Sequence, residues 1–194
     1  MLIVGYSIIL YFFILKFCDK YIMSIVVEKT NLEDVLLIRP SVFEDHRGTY
    51  VETYNIEDYK ENGININFIR DDISTSIKNV LRGIHYDNKT WKLIQCMYGK
   101  IYFVVIDMRK ENPQYLKWQS FILTSTNRFQ VLVPPNFGNG HLVLSDECIF
   151  HYKMSEYYDP LTEKALKWDD PKANIYWPIK NPILSLKDSN TKYL

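Results

Sequence analysis

The sequence predicts an all-β protein closed into a barrel or jelly roll, with few and short helices. From Ile25 onward, short apolar runs recur with turn residues between them, and no linker, repeat or low-complexity tract interrupts the series. Composition leans the same way: 15 tyrosines and an aromatic content of 15%, with abundant Val and Ile, suit pleated, half-buried surfaces. At 194 residues the chain is long enough for one domain with a sizeable core.

The elements follow in order. Strands are expected over residues 35–38, 49–53, 67–72, 80–86, 92–98 and 100–107. Further strands are expected over 117–123, 129–133, 142–144 and 148–154. Tyr98-Gly99-Lys100 is the turn of a long hairpin, because Gly supplies positive φ. Val133-Pro134-Pro135-Asn136 ends a strand, since neither proline donates to a ladder. Residues 56–61 form a short helix, and the chain after Asp159 is mostly loop with one helical turn.

Residues 1–22 stand apart as a hydrophobic N-terminal extension, leaving 23–194 as the domain. Met1 to Leu15 carries no charge and Lys16 then breaks the run, short of the roughly 20 apolar residues a spanning helix needs. No positive charge precedes the run and no small-residue site follows it, unlike a secretory signal. The extension is expected to be either a non-native start before Met23 or a membrane anchor. Were it to insert, Lys16 and Lys20 behind it would keep the domain cytoplasmic. Cys18, Cys96 and Cys148 form no CxxC or zinc spacing and read as free thiols in a reducing compartment. Lys+Arg and Asp+Glu balance at 23 each, so no basic field points to nucleic acid.

Chemistry concentrates in VLRGIHYDNKTWK, residues 80–92. An imidazole (His85) and an ammonium (Lys92) close together can remove a proton beside a carbonyl and hold the resulting negative charge. Strand alternation places Arg82 and Ile84 on one face and Gly83 and His85 on the other, with Gly83 leaving room beside the imidazole. Arg47, in Asp45-His46-Arg47-Gly48, reads either as a surface turn with a salt bridge or as a bidentate phosphate grip. Tyr157-Tyr158 offers a phenol as proton donor, or ordinary amphipathic packing. Asp188, in Ser185-Leu186-Lys187-Asp188, would fix a histidine tautomer if it lay behind one.

In one chain and in this order, the segments FEDHRGTYVET, RDDISTSIKNVLRGIH, KLIQCMYGKIYFVVIDMRKENPQYLKW, LVPPNFGNGH, YKMSEYYDP, KWDDP, IYWPI and ILSLKD resemble the dTDP-4-dehydrorhamnose 3,5-epimerase family. The resemblance runs from about Val35 to Asp188 and implies a cupin-fold enzyme acting on a nucleotide-linked 4-keto sugar, without metal or cofactor. It implies that His85 is the base, Asp188 its partner, Lys92 the group that stabilises the enolate, and Tyr157 the acid on the opposite face. It places Arg47, Tyr50, Glu52, Arg70, Asp72, Ser74 and Arg82 around substrate and pyrophosphate. It also implies a homodimer whose N-terminal strands cross into the partner.

The sequence departs from the family pattern at three points. Only six residues separate His85 from Lys92, the usual Phe-x-His-Gly-Phe is Phe137-Gly138-Asn139-Gly140-His141, and the usual Gln-x-Asn is Arg70-Asp71-Asp72. Asn139 and His141 thereby join the substrate-binding set. The short loop and the Gly-Asn-x-His bend are similar to a branch acting on GDP-linked 4-keto-6-deoxy-heptoses for capsule polysaccharides, so dTDP-hexose and GDP-heptose both stand, as do C3-only and C3-plus-C5 epimerisation. A non-catalytic sugar-nucleotide-binding cupin would not need His85, Lys92, Tyr157 and Asp188 together. A metal-dependent cupin oxygenase is disfavoured because His46, His85, His141 and His151 form no HxH pair.

Overall fold

A computed structural model describes residues 24–194; the expected extension 1–22 lies outside them. The strands are β1 (Ile25–Lys29), β2 (Leu36–Pro40), β3 (Val42–Asp45), β4 (Gly48–Val51), β5 (Arg70–Ile77), β6 (Leu81–Tyr86) and β7 (Lys92–Tyr98). They continue with β8 (Lys100–Asp107), β9 (Trp118–Thr124), β10 (Gln130–Val133), β11 (Phe137–Val143), β12 (Glu147–Met154) and β13 (Lys164–Ala165). Two short helices, α1 (Ile56–Glu61) and α2 (Leu186–Ser189), complete the described residues.

Period-two alternation builds two facing sheets, in strand orders β1-β2-β10-β7-β12-β5 and β13-β6-β11-β8-β9. β8 shows the logic: it is apolar on both sides because both are covered. Ile101, Phe103 and Val105 point into the barrel and pack with Phe121, Leu123, Val131 and Phe150. Tyr102, Val104 and Ile106 point outward, under Leu166, Ala173, Ile175 and Trp177 of the C-terminal segment. On the other sheet α1 supplies the cover. Asn55 caps it by accepting the Glu57 backbone N–H at 3.1 Å, and Tyr59 packs with Ile25, Ile38, Leu93 and Leu132. The Tyr59 hydroxyl donates to buried Gln130.

The expected strands over 92–98 and 100–107 and the helix over 56–61 match the structure. The strand expected over 67–72 runs instead from Arg70 to Ile77, because the Ser-Thr alternation continues its pleat. The one expected over 142–144 begins at Phe137. Its glycines look like loop residues but permit close strand contact: a Cβ on Gly138 would meet Ile84 Cγ2 at 2.5 Å. Strands β1, β3 and β13 were not anticipated; each is at most five residues long. Among the described residues no helix is long and apolar enough to cross a membrane.

Candidate active site

A bulge decides which side chains of β6 meet. Strict alternation would put Arg82 and His85 on opposite faces. The pairing runs Asn139↔His85 and His141↔Arg82, three steps along β6 against two along β11. The extra residue turns both side chains to the same side, and both line one cavity. Gly83 is needed for the backbone: its φ is +119°, and a Cβ there would meet Gly140 Cα at 2.6 Å. The room expected beside His85 is therefore filled by β11.

The cavity, about 590 Å3, lies between the two sheets on the side bounded by β5, β6, β11 and β12. Alternate residues point into it: Arg70, Asp72 and Ser74 from β5, Asn139 and His141 from β11, Lys92 from β7. Asp188 closes one wall from α2, behind His85.

His85 Nε2 lies 2.6 Å from Asp188 Oδ1, and Asp188 is 4% exposed. The carboxylate favours the tautomer with the proton on Nε2, which leaves a lone pair on Nδ1 able to accept a proton. Ser185 holds the turn by accepting the Asp188 backbone N–H at 3.0 Å. Burial raises the Asp188 carboxyl, but the His85 hydrogen bond and charge, with Ser185, hold it below the usual carboxylate range.

Lys92 donates to Asn139 Oδ1 at 3.1 Å and lies 3.9 Å from Asp87. Burial pulls its pKa down; Asp87 and Glu163 pull it back up, while Arg70 adds to the fall. An ammonium so enclosed gains most when an anion forms beside it. Asn139 links it to His85, being the cross-strand neighbour of one and the acceptor for the other.

His141 is stacked on Phe150, with ring centroids 4.1 Å apart, and its enclosed Nε2 has no hydrogen-bond partner. Burial, then the charges of Arg82 and His85, push its pKa down to about 3, so it is neutral at ordinary pH.

Tyr157 reaches the cavity rim, but it is 74% exposed on the loop after β12. The tyrosine in the wall is Tyr152, on β12, in the sheet facing His85. Sequence reasoning missed it. The signal was there in the shared parity of Phe150, Tyr152 and Met154, which puts all three on the inward face. Burial and Asp72 raise the Tyr152 phenol, and Glu163 adds to the rise against Arg70 and Arg82.

Arg47, Tyr50 and Glu52 do not line this cavity. Arg47 and Tyr50 belong to the exposed β3–β4 hairpin, where Arg47 Nη2 donates to Asp45 Oδ2 at 2.6 Å, the salt-bridged turn that was one of the two readings. Glu52 accepts from Asn55 Nδ2 at 3.2 Å. Cys96 and Cys148 are free and buried, and burial pushes the Cys96 thiol up to about 12.

The family model for dTDP-4-dehydrorhamnose 3,5-epimerase matches residues 29–194. A dTDP-4-dehydrorhamnose 3,5-epimerase of Shigella flexneri is 40% identical over 168 residues, covering 84% of this chain and 93% of the relative. Among solved structures, the Bacillus anthracis str. Ames enzyme of that name, with TDP and PPi bound, superposes with a TM-score of 0.85 at 36% identity, covering 88% of this chain and 100% of that one. A Legionella pneumophila dTDP-6-deoxy-D-glucose-3,5-epimerase in complex with dTDP-4-keto-L-rhamnose gives a TM-score of 0.83 at 33% identity, covering 87% of this chain and 92% of that one.

Proposed function

The chain belongs to the dTDP-4-dehydrorhamnose 3,5-epimerase family of cupin-fold isomerases, and from that premise we propose that it inverts C3, C5 or both of a dTDP-linked 4-keto-6-deoxy sugar through a C4 enolate. The observation that carries this reading is the facing of His85, backed by Asp188 at 2.6 Å, and Tyr152 across one cavity that also holds Lys92.

The C4 ketone acidifies the hydrogens on its neighbours. His85 Nδ1 takes one of them, and the C–H electrons move into the enolate. The imidazolium is stabilised by Asp188, and Lys92, steadied by Asn139, offers its ammonium to the enolate oxygen where charge develops. Tyr152 returns a proton from the other wall, and the centre inverts. Each such positioned acid or base supplies roughly 10²–10⁴-fold. Tyr157, at the rim, contacts substrate in this scheme but does not deliver the proton. Arg70, Ser74 and Arg82 bind substrate at the cavity wall.

Arg47, Tyr50 and Glu52 act in this reading on a neighbouring subunit's substrate. The hairpin stands away from its own cavity, and β5, an edge strand of the six-stranded sheet, exposes Ile73 (68%) and Ile77 (58%), apolar surface that a second copy would cover. A second substrate, a GDP-linked 4-keto-6-deoxy-heptose of capsule biosynthesis, is favoured by one observation. Asn139 and His141 replace family residues inside the cavity itself.

Proton NMR in D2O tests both. With dTDP-4-keto-6-deoxyglucose, deuterium enters C3, C5 or both and the product is inverted. Exchange only with the GDP-heptose moves the assignment to the second substrate. Exchange with neither makes the chain a sugar-nucleotide-binding protein.

A further inference from the structure

Each wall of the cavity sets a carboxylate beside a group that can carry a proton. On one, His85 is backed by Asp188. On the other, β12 and β5 pair in the register Tyr152↔Asp72 and Met154↔Arg70. Residues directly opposite in an antiparallel pair project to one side with Cβ atoms about 5 Å apart, and Tyr152 and Asp72 both line the cavity. Asp72 does not stand alone: Arg70 Nε lies 3.2 Å from its Oδ2. Arg70 is itself held in place, with Nη2 donating to Met154 Sδ at 2.7 Å and the Tyr158 ring 5.8 Å from its guanidinium carbon.

We propose that Asp72, capped by Arg70, is a positioning residue that keeps the proton on Tyr152, as Asp188 orients His85 on the opposite wall. This rests on the reading of Tyr152 as the acid. In the transfer step the Tyr152 O–H bond breaks, a C–H bond forms at the enolate carbon, and a phenolate remains while His85 holds the abstracted proton. Both groups reset by exchange with water. A carboxylate facing a new phenolate repels it and favours its reprotonation, so the acid is reloaded for the next turnover. Arg70 limits this push by partly neutralising Asp72. The other titratable or charged groups of the cavity that face the phenol are Arg82 and His85 from β6, His141 from β11, Lys92 from β7 and Glu163 just before β13.

The test is ultraviolet titration of tyrosinate on the full chain, with the Tyr152 component taken as the difference from Tyr152→Phe, beside the pH profile of epimerisation. In Asp72→Asn the Tyr152 component, and with it the alkaline limb of kcat, moves to lower pH. In Arg70→Gln both move to higher pH. A Tyr152 component that stays put in both variants, or moves with the opposite sign, overturns the proposal. If one variant does not fold, the sign in the other decides. Tyr152→Phe separates this from the reading it rests on. Loss of inversion with continued deuterium exchange through His85 supports Tyr152 as the acid, and full inversion in that variant removes the acid assignment whatever Asp72 does.

Discussion

The two sides of the barrel interior serve opposite purposes. Between β8, β9 and β10 the interior is closed by Phe103, Leu123, Val131 and Val133, all at 0% exposure. Between β5, β6, β11 and β12 it holds an imidazole whose Nε2 has no hydrogen-bond partner, an enclosed ammonium, and in Arg70 a guanidinium whose Nε and Nη1 make no hydrogen bond. Phe150 belongs to both, packing 6.3 Å from Phe103 on one side and stacking under His141 on the other. Close apolar packing on one side lets the other carry groups that cost stability and supply chemistry.

If the cavity side is spent on chemistry, its substitutions change rate more than stability. The largest effect belongs to His85→Asn, which is expected to lower kcat by about 10²–10⁴-fold with nucleotide affinity and melting temperature nearly unchanged. Isotope exchange and a thermal melt read both. A variant that keeps its rate breaks the comparison at its centre.

On the packed side the order reverses. Phe103→Ala removes a ring with 0% exposure and should cost about 3–5 kcal/mol in urea unfolding. His141→Phe supplies the contrast, since it replaces an imidazole with an unpartnered Nε2. It is expected to raise stability by up to about 1–3 kcal/mol while impairing substrate binding. Its pH dependence sharpens the point. Folded His141 has its pKa pushed down to about 3, below the ordinary value of about 6.5 in an unfolded chain. The unfolded chain therefore binds the proton first. The contribution of neutral His141 is full above about 6.5 and is lost as pH falls toward the folded value. Stability of His141→Phe should fall less than that of the parent over this interval; equal slopes would mean the imidazole is not enclosed.

The packed side was legible in the sequence because period-two apolar runs specify it residue by residue, as in 100–107. Of the residues that the resemblance and the departures from it singled out, His85, Lys92, Asp188, Arg70, Asp72, Ser74, Arg82, Asn139 and His141 line one cavity. What failed were the places where a local rule met a longer-range one. The bulge at Gly83 is set by the approach of Gly140, and strand pattern alone does not show it. Tyr152 was hidden because a tyrosine in a strand looks like packing, whereas the paired tyrosines beyond it looked like chemistry. Arg47, Tyr50 and Glu52 sit where one chain gives them no cavity to serve.

The smallest effect tests how far the division extends beyond the walls. Lys89, between β6 and β7, reaches Asp159 at 3.2 Å across the cavity mouth, with the side chains 41% and 33% exposed. A backbone N–H of Leu161 and then Lys89 hold the Asp159 carboxyl below its usual range. An exposed pair of this kind contributes little to stability and weakens with salt. Lys89→Ala should therefore leave the melting temperature nearly unchanged. The loop it tethers carries Tyr157 and Tyr158 to the rim, so its loosening should appear as a raised KM with kcat preserved, and the difference from the parent should shrink at high salt. A fall in kcat instead would show that the mouth, and not only the walls, positions the reacting groups.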